Sequence, residues 1–158
     1  MKTRLIMVGK TTDKHIETLM NDYVGRLSHY VPFEILCLRS ASEGKASRLD
    51  ERAIKDAEGE TILKNVTTAD YVVLLDERGA ERRSIEFAQW LEKKSVSSRR
   101  LTFIIGGAFG FSDAVYARAD EQMSLSKMTF THQMVRLFFV EQLYRACAIN
   151  KGEKYHHE

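Results

Sequence analysis

A glycine-rich segment is one of two parts of this sequence best suited to chemistry. Gly106, Gly107 and Gly110 directly follow an apolar run and precede a predicted helix start at Ser112 or Asp113. Glycines at such a position let the backbone turn sharply and approach a ligand closely. The pattern is GGxxG, which matches neither the GxGxxG fingerprint of dinucleotide sites nor the P-loop of nucleoside triphosphate sites. By itself the segment fits a ligand loop or a tight strand-to-helix turn.

The other part is the stretch LSKMTFTHQMVR at residues 125–136, which leads into a long helix predicted to begin near Gln133. Arg136 falls on the apolar side of this helix, opposite its one polar stripe. A buried guanidinium needs an acceptor, and its planar fork suits a ligand carbonyl or phosphate. The alternatives are that Arg136 extends to water or pairs with a carboxylate. His132 precedes it by four residues, so both side chains point the same way if the helix starts early enough.

The long helix is also apolar around most of its circumference, which leaves a second face to be covered. Its apolar residues are Leu137, Phe138, Phe139, Val140, Leu143, Tyr144, Ala146 and Ala148. A second subunit is the simplest cover, because two-fold homodimers dominate soluble oligomers. A central core helix would show the same pattern, so the two explanations stay open.

Alternating strands and helices position these groups. The predicted strands are residues 3–8, 33–38, 71–76, 101–105 and roughly 122–126. The first predicted helix follows a cap at Thr12 or Asp13, the next three span residues 49–65, 84–94 and 113–118, and the last begins near Gln133. This order predicts one α/β domain over residues 1–158, with an open, mostly parallel sheet and helices on both faces. Ligands bind at the carboxyl ends of such strands, so a cofactor is expected after Asp76, Ile105 and Ser126.

Composition narrows the class of protein. With 158 residues, 44% hydrophobic residues, one proline and a net charge of +2, the chain is typical of a compact domain and not of a disordered one. The apolar run at the N-terminus is too short for a secretory signal, and no stretch is long enough to span a bilayer, which predicts a cytoplasmic protein without membrane contact. Cys37 and Cys147 lie far apart and are expected to be buried thiols, without a metal site.

Taken together, GGxxG after a strand, LSKMTFTHQMVR, EQLYRA and the terminal KYHHE resemble the SPOUT-class family of ribosomal RNA large subunit methyltransferase H. The resemblance extends back to the opening LIMVGK and is most specific in the last third of the chain. It implies a C-terminal trefoil knot, a homodimer and S-adenosylmethionine as cofactor. The implied reaction is methylation of N3 of a pseudouridine in the helix 69 loop of 23S rRNA, with the assembled ribosome as the expected substrate.

The resemblance also carries over individual residues. Those matching the family's cofactor positions are Leu75, Gly106, Leu125, Ser126, Lys127, Met128, Thr129 and Phe130. Those matching its polar active-site positions are His132, Arg136, Tyr155 and His156. Arg136 is expected to hold the oxygens of the base, and one of the other three to relay its proton. Because Tyr155 and His156 lie so near the end of the chain, we expect a partner subunit or RNA to order them.

The chain departs from the family pattern at two places. Ala108 and Phe109 stand where the family often has Pro-Glu, and Thr131 stands where it usually has proline. Neither change removes a needed side chain, and Thr131 could cap the long helix instead. Two other functions remain open: a SPOUT enzyme acting on transfer RNA, and a flavodoxin-like module that binds a nucleotide without catalysis and has no affinity for S-adenosylmethionine.

Overall fold

Five strands and five helices alternate along the described part of the chain, in the order that the sequence predicts. The computed structural model describes residues 2–42, 50–97 and 99–157. In chain order the elements are β1 (Thr3–Val8), α1 (Lys14–Leu27), β2 (Phe33–Leu38), α2 (Glu51–Lys64), β3 (Asp70–Glu81), α3 (Ser84–Ser95), β4 (Arg100–Ile105), α4 (Asp113–Arg118), β5 (Glu121–Ser124) and α5 (Met134–Asn150). Leu49, where the second helix was predicted to start, lies outside the described residues.

The sheet has five strands in the order β2-β1-β4-β3-β5, and every pairing is parallel. One face packs on α1, α3 and α5, and the other packs on α2 and α4. Burial on both faces explains why β1 and β4 read as continuous apolar runs. The predicted open parallel sheet with helices on both faces is therefore confirmed.

Strand β3 is longer than predicted. Its pairing with β5 is irregular between Leu75 and Ala80, so residues 76–79 bulge out before the strand resumes and runs to Glu81. Gly79 lies in this bulge, where a β-carbon would be only 2.6 Å from the backbone nitrogen of Met123. The predicted end of the strand at Asp76 is thus wrong, because the residues that look like a turn form a bulge within the strand.

The prediction that both cysteines are buried is also wrong for one of them. Cys147 is buried in α5, whereas Cys37 is exposed. Cys37 lies on β2, an edge strand that pairs on one side only. An apolar run such as FEILCL does not by itself distinguish an edge strand from a central one.

A cluster of hydrogen bonds and ion pairs surrounds the buried carboxylate of Asp70. Arg100 donates to the fully buried carboxylate of Asp70 at 2.6 and 2.9 Å, at the edge of the sheet where the strands begin. Thr102 donates to the same carboxylate at 2.7 Å, and Arg4 lies 3.5 Å away. Burial opposes ionisation of Asp70, but the hydrogen bonds from Arg100, Thr67 and Thr102 outweigh it and hold its pKa well below the ordinary value.

Helix α5 is largely covered by its own chain, since it packs against α1 and α3. Its residues Leu143, Ala146 and Ala148 are buried, while Phe138 remains 40% exposed beside Phe130. A core position thus accounts for most of the apolar circumference, and the homodimer stays a prediction. No helix in the described ranges is long and apolar enough to cross a membrane.

Candidate functional site

A cleft of about 1190 Å³ opens at the carboxyl ends of β3, β4 and β5. Its walls are residues 75–78 at the bulge of β3, the glycine loop at 106–110, and residues 123–126 and 128–135, which run from the end of β5 into the start of α5. Thr12 and Asp13 close one side from the loop between β1 and α1. The cleft lies where open parallel sheets bind ligands.

All but one of the residues predicted to bind the cofactor line this cleft. They are Leu75, Gly106, Leu125, Ser126, Met128, Thr129 and Phe130. The exception is Lys127, whose side chain is 88% exposed and whose ammonium lies 4.0 Å from Glu81. Lys127 therefore reaches the site in this structure only through its place in the backbone of the segment.

The glycine loop is a tight turn as well as a wall of the cleft. The amide of Gly110 donates to the carbonyl of Gly107 at 3.1 Å, and Gly110 has a φ of +84°, which favours glycine. A β-carbon on Gly106 would lie 3.0 Å from the ring of Phe111. Ser112 then caps α4 by accepting from the amide of Val115 at 3.4 Å. The two interpretations of the glycines are thus compatible.

The segment 125–130 is held largely by its own polar groups. Ser124 donates to the carbonyl of Ser126 at 2.8 Å, and the amide of Met128 donates to the Ser126 hydroxyl at 3.0 Å. Thr129 donates to Glu77 at 3.1 Å, which joins the segment to the bulge of β3. The cleft wall here combines a fixed backbone with apolar side chains, an arrangement suited to a flat aromatic ligand.

His132 lies on the cleft wall just before α5. α5 begins at Met134, but the turn before it is already helical, since the amide of Val135 donates to the carbonyl of Thr131 at 3.0 Å; His132 lies in this turn. Thr131 does cap the helix, as its hydroxyl accepts from the amide of Met134 at 3.1 Å. His132 is exposed at the cleft wall, yet partial desolvation there and the charge of Arg136 lower its pKa, and the charge of Glu58 opposes them. A neutral imidazole at neutral pH can accept a proton.

Arg136 is fully buried and does not line the cleft. Its guanidinium donates to the carbonyl of Val8 at 2.8 Å and to the hydroxyl of Thr11 at 3.0 Å. The two alternatives, that Arg136 extends to water or pairs with a carboxylate, are therefore wrong. Burial lowers its pKa.

Gln133 also contacts the loop between β1 and α1, a role that the sequence did not predict. It donates to the carbonyl of Lys10 at 3.1 Å and accepts from the amide of Thr12 at 2.8 Å. Together Gln133 and Arg136 fasten the first turn of α5 to residues 8–12, the loop that leads into the cleft wall at Thr12 and Asp13. Nothing in the local pattern of a glutamine next to a helix start indicates so distant a partner.

The C-terminal tail is ordered by its own chain, contrary to prediction. The hydroxyl of Tyr155 donates to Glu141 at 2.9 Å. Its ring packs edge-on against the ring of Tyr144, with the two ring centroids 4.7 Å apart. Arg145 donates to Nδ1 of His156 at 3.0 Å. Burial and the hydrogen bonds to Tyr23 and Glu141 raise the pKa of Tyr155, which keeps the phenol protonated at neutral pH.

The tail does not meet the cleft of its own chain. Arg145, which holds His156, lies about two and a half turns beyond Arg136 on α5, or roughly 13 Å along the axis, and on the opposite side of the helix. Neither Tyr155 nor His156 lines the cleft. One chain thus brings His132 to the cofactor residues but leaves the tail elsewhere.

Two acidic residues beside the cleft were also missed as functional candidates. Asp76 lines the cleft, where it accepts from the Tyr116 hydroxyl and, at 2.9 Å, from the amide of Arg78. Burial opposes its ionisation, but these hydrogen bonds outweigh it and lower the pKa of Asp76. The other is Glu58, a buried carboxylate in a helix so rich in charge that its burial gives no sequence signal. Within the described ranges, no group of three or more His, Cys, Asp or Glu side chains is arranged to hold a metal ion.

Comparison with known proteins supplies a family context for this cleft. A family model described as predicted SPOUT methyltransferase matches residues 1–156. Relatives from Bacteroides fragilis and Phocaeicola vulgatus are 50% and 49% identical over the full length of both chains. A relative from Christiangramia forsetii is 49% identical over 99% of both chains. All three bear the name ribosomal RNA large subunit methyltransferase H.

Proposed function

Because the chain belongs to the SPOUT methyltransferase family, we propose that it methylates 23S rRNA, using S-adenosylmethionine as methyl donor. The proposed target is N3 of a pseudouridine in the helix 69 loop, within the assembled ribosome in the cytoplasm. The proposed enzyme is a homodimer of one-domain chains with the family's trefoil knot. The names of its relatives support the RNA class, and the resemblance supplies the finer target.

The observation that carries the proposal is the convergence of the predicted cofactor residues on one cleft. Leu75, Met128 and Phe130 offer apolar surface to an adenine, and Gly106 with the backbone of 125–130 offers main-chain groups to read its edge. These residues fit S-adenosylmethionine. The sulfonium supplies an activated methyl group when bound, and this chemistry needs neither an acid nor a metal from the protein.

The protein's own contribution begins with a proton. The ring nitrogen N3 carries a hydrogen that must leave before the nitrogen can attack a methyl group, so a base within reach of the cleft is needed. His132 lies on the cleft wall with a lowered pKa and is our candidate. Tyr155 is a poor base at neutral pH, since its pKa is raised.

Arg136 acts first on the shape of the cleft. It fixes the carbonyl of Val8 and the hydroxyl of Thr11, and thereby the loop that ends in the cleft wall at Thr12. A contact between its guanidinium and the oxygens of the base would require Arg136 to exchange Thr11 for the base. We propose this exchange as the way in which Arg136 stabilises the developing anion.

We propose that Tyr155 and His156 act at the cleft of the second subunit. Within one chain they contact Glu141 and Arg145, which lie on the side of α5 opposite Arg136, and helical periodicity puts the exposed Phe138 on that side too. A two-fold axis through this part of α5 would cover Phe138 and bring each tail toward the other chain. Sedimentation of the purified protein should then give a dimer.

Transfer of a labelled methyl group tests the proposal. Purified protein and labelled S-adenosylmethionine would be incubated with ribosomes, free 23S rRNA and transfer RNA in parallel. Gly106→Val, whose side chain would press on the ring of Phe111 in the cleft wall, is the control. Label in ribosomal 23S rRNA is expected. Label in transfer RNA alone would favour the other SPOUT function. Absence of calorimetric binding of S-adenosylmethionine would favour the flavodoxin-like module.

A further inference from the structure

Glu58 of α2 carries a buried carboxylate that lies beside the glycine loop. The residue as a whole is 4% exposed. One carboxylate oxygen, Oε2, accepts from the hydroxyl of Ser40 at 2.9 Å and from the amide of Ala41 at 3.1 Å. The other, Oε1, has no hydrogen-bond partner among the described residues. A buried acceptor without a partner is costly, so its retention calls for an explanation.

The carboxylate lies directly against Gly107. A β-carbon at position 107 would be 2.6 Å from Oε1 and 3.1 Å from Oε2, so any side chain there would have to displace the carboxylate of Glu58. The next residue of α2, Gly59, packs equally closely against the end of the same loop, where a β-carbon would lie 3.1 Å from Cβ of Ser112. Two consecutive residues of α2 thus set the positions of both ends of the segment 107–112.

Glu58 packs against a loop that shares the cleft with the proposed base, since Gly107 and His132 both line it. Partial desolvation and the charge of Arg136 lower the pKa of His132, while the charge of Glu58 raises it. Among the groups that face His132 in this way, Glu58 is the one of opposite charge.

We propose that Glu58 is a positioning residue of the methyl-transfer site, which fixes the backbone of the glycine loop at Gly107 and favours the protonated form of His132 after proton transfer. The second part rests on the proposed function. The first part concerns the fold of the cleft and holds whatever reaction the cleft serves.

Unfolding measurements test the first part without any activity assay. Gly107→Ala, Glu58→Ala and the double variant would be compared by urea unfolding, with Gly107→Ala combined with Glu60→Ala as the matched control, since Glu60 is exposed on the same helix. We expect Gly107→Ala to lower the unfolding midpoint and Glu58→Ala, but not Glu60→Ala, to recover part of that loss. Purely additive effects of Glu58→Ala and Gly107→Ala would overturn the contact.

Titration of His132 by NMR tests the second part on the unliganded protein. Glu58→Gln keeps the shape but removes the charge, so the pKa of His132 should fall, whereas Glu60→Gln should leave it unchanged and Glu58→Asp should largely restore it.

In turnover assays the acid limb of the pH profile of kcat should move to lower pH in Glu58→Gln, because the base then stays neutral at lower pH. A His132 pKa equal to wild type in Glu58→Gln would overturn the role. If the wild type transfers no methyl group, the proposed function fails, while the titration still decides the influence of Glu58 on His132.

Discussion

The guanidinium of Arg136 donates to the backbone carbonyl of Val8 at 2.8 Å and so ties the first turn of α5 to the end of β1. Thr11 and Gln133 add hydrogen bonds to the same junction. The residue that the resemblance assigns to the substrate is therefore, in this structure, a support for the cleft wall at Thr12 and Asp13.

Arg136→Met should lower the free energy of unfolding by about 2 kcal/mol, because it leaves the buried carbonyl of Val8 without its charged donor. Affinity for S-adenosylmethionine should fall as well, since the loop at Thr12 loses its anchor. Urea unfolding and calorimetry measure the two effects. Arg52→Met, at an exposed position on α2, is the control and should change neither. An Arg136→Met protein as stable as wild type, with full turnover on ribosomes, would contradict both roles given to Arg136.

Removal of the chain after Lys154 should abolish methyl transfer but leave the affinity for S-adenosylmethionine unchanged, because the tail does not line the cleft. Calorimetry and a methylation assay separate the two effects. Tyr155→Phe, which removes the hydrogen bonds of the phenol with Glu141 and Tyr23 but keeps its ring, should cost about 1 kcal/mol of stability. Full activity in the truncated protein would exclude any catalytic part for Tyr155 and His156.

The two thiols should react at very different rates. Cys37 is exposed, whereas burial raises the pKa of Cys147 to about 11 and keeps that thiol protonated and inaccessible at pH 8. A chromogenic disulfide reagent should therefore modify one thiol rapidly, and Cys37→Ser should remove that fast phase. Equal reactivity of both thiols in the native protein would contradict the assigned burial.

Asp70→Asn should lower the free energy of unfolding by about 3 kcal/mol at pH 7, because it leaves the guanidinium of Arg100 without its buried carboxylate. The pKa of Asp70 is lower in the folded state than in the unfolded state. The contribution of Asp70 to the free energy of unfolding is therefore complete above the unfolded-state pKa of ~3.9 and declines as the pH falls below that value. Chemical unfolding from pH 7 to pH 2 should show this loss in wild type and a shallower one in Asp70→Asn. Parallel curves for the two proteins would contradict the assignment.

The fold was largely predictable from the sequence because its central strands are buried on both faces and read as apolar runs, as in Leu5–Val8 and Leu101–Ile105. The extension of β3 was not, because Asp76 to Gly79 have the composition of a turn, and only the pairing with β5 shows them to be a bulge. The exposure of Cys37 follows from strand order, which no local pattern encodes.

The candidate site was predictable where its groups are contiguous, as in the segment 125–130, and much less so where they are not. The position of Arg136 on the apolar side of α5 indicated that it is buried. Its acceptors could not be predicted, because they lie more than 120 residues away in the sequence. Glu58 was hidden for a different reason: α2 carries charge on several sides, and its packing against Gly107 is a property of the tertiary structure alone.

The most direct test of the central claim is mass-spectrometric mapping of 23S rRNA from a strain that lacks this chain, compared with the same strain carrying wild type or Gly106→Val. The account predicts that a methyl group on N3 of a helix 69 pseudouridine is absent from the deletion strain, restored by wild type and not restored by Gly106→Val. An identical methylation state of helix 69 in all three strains would contradict it.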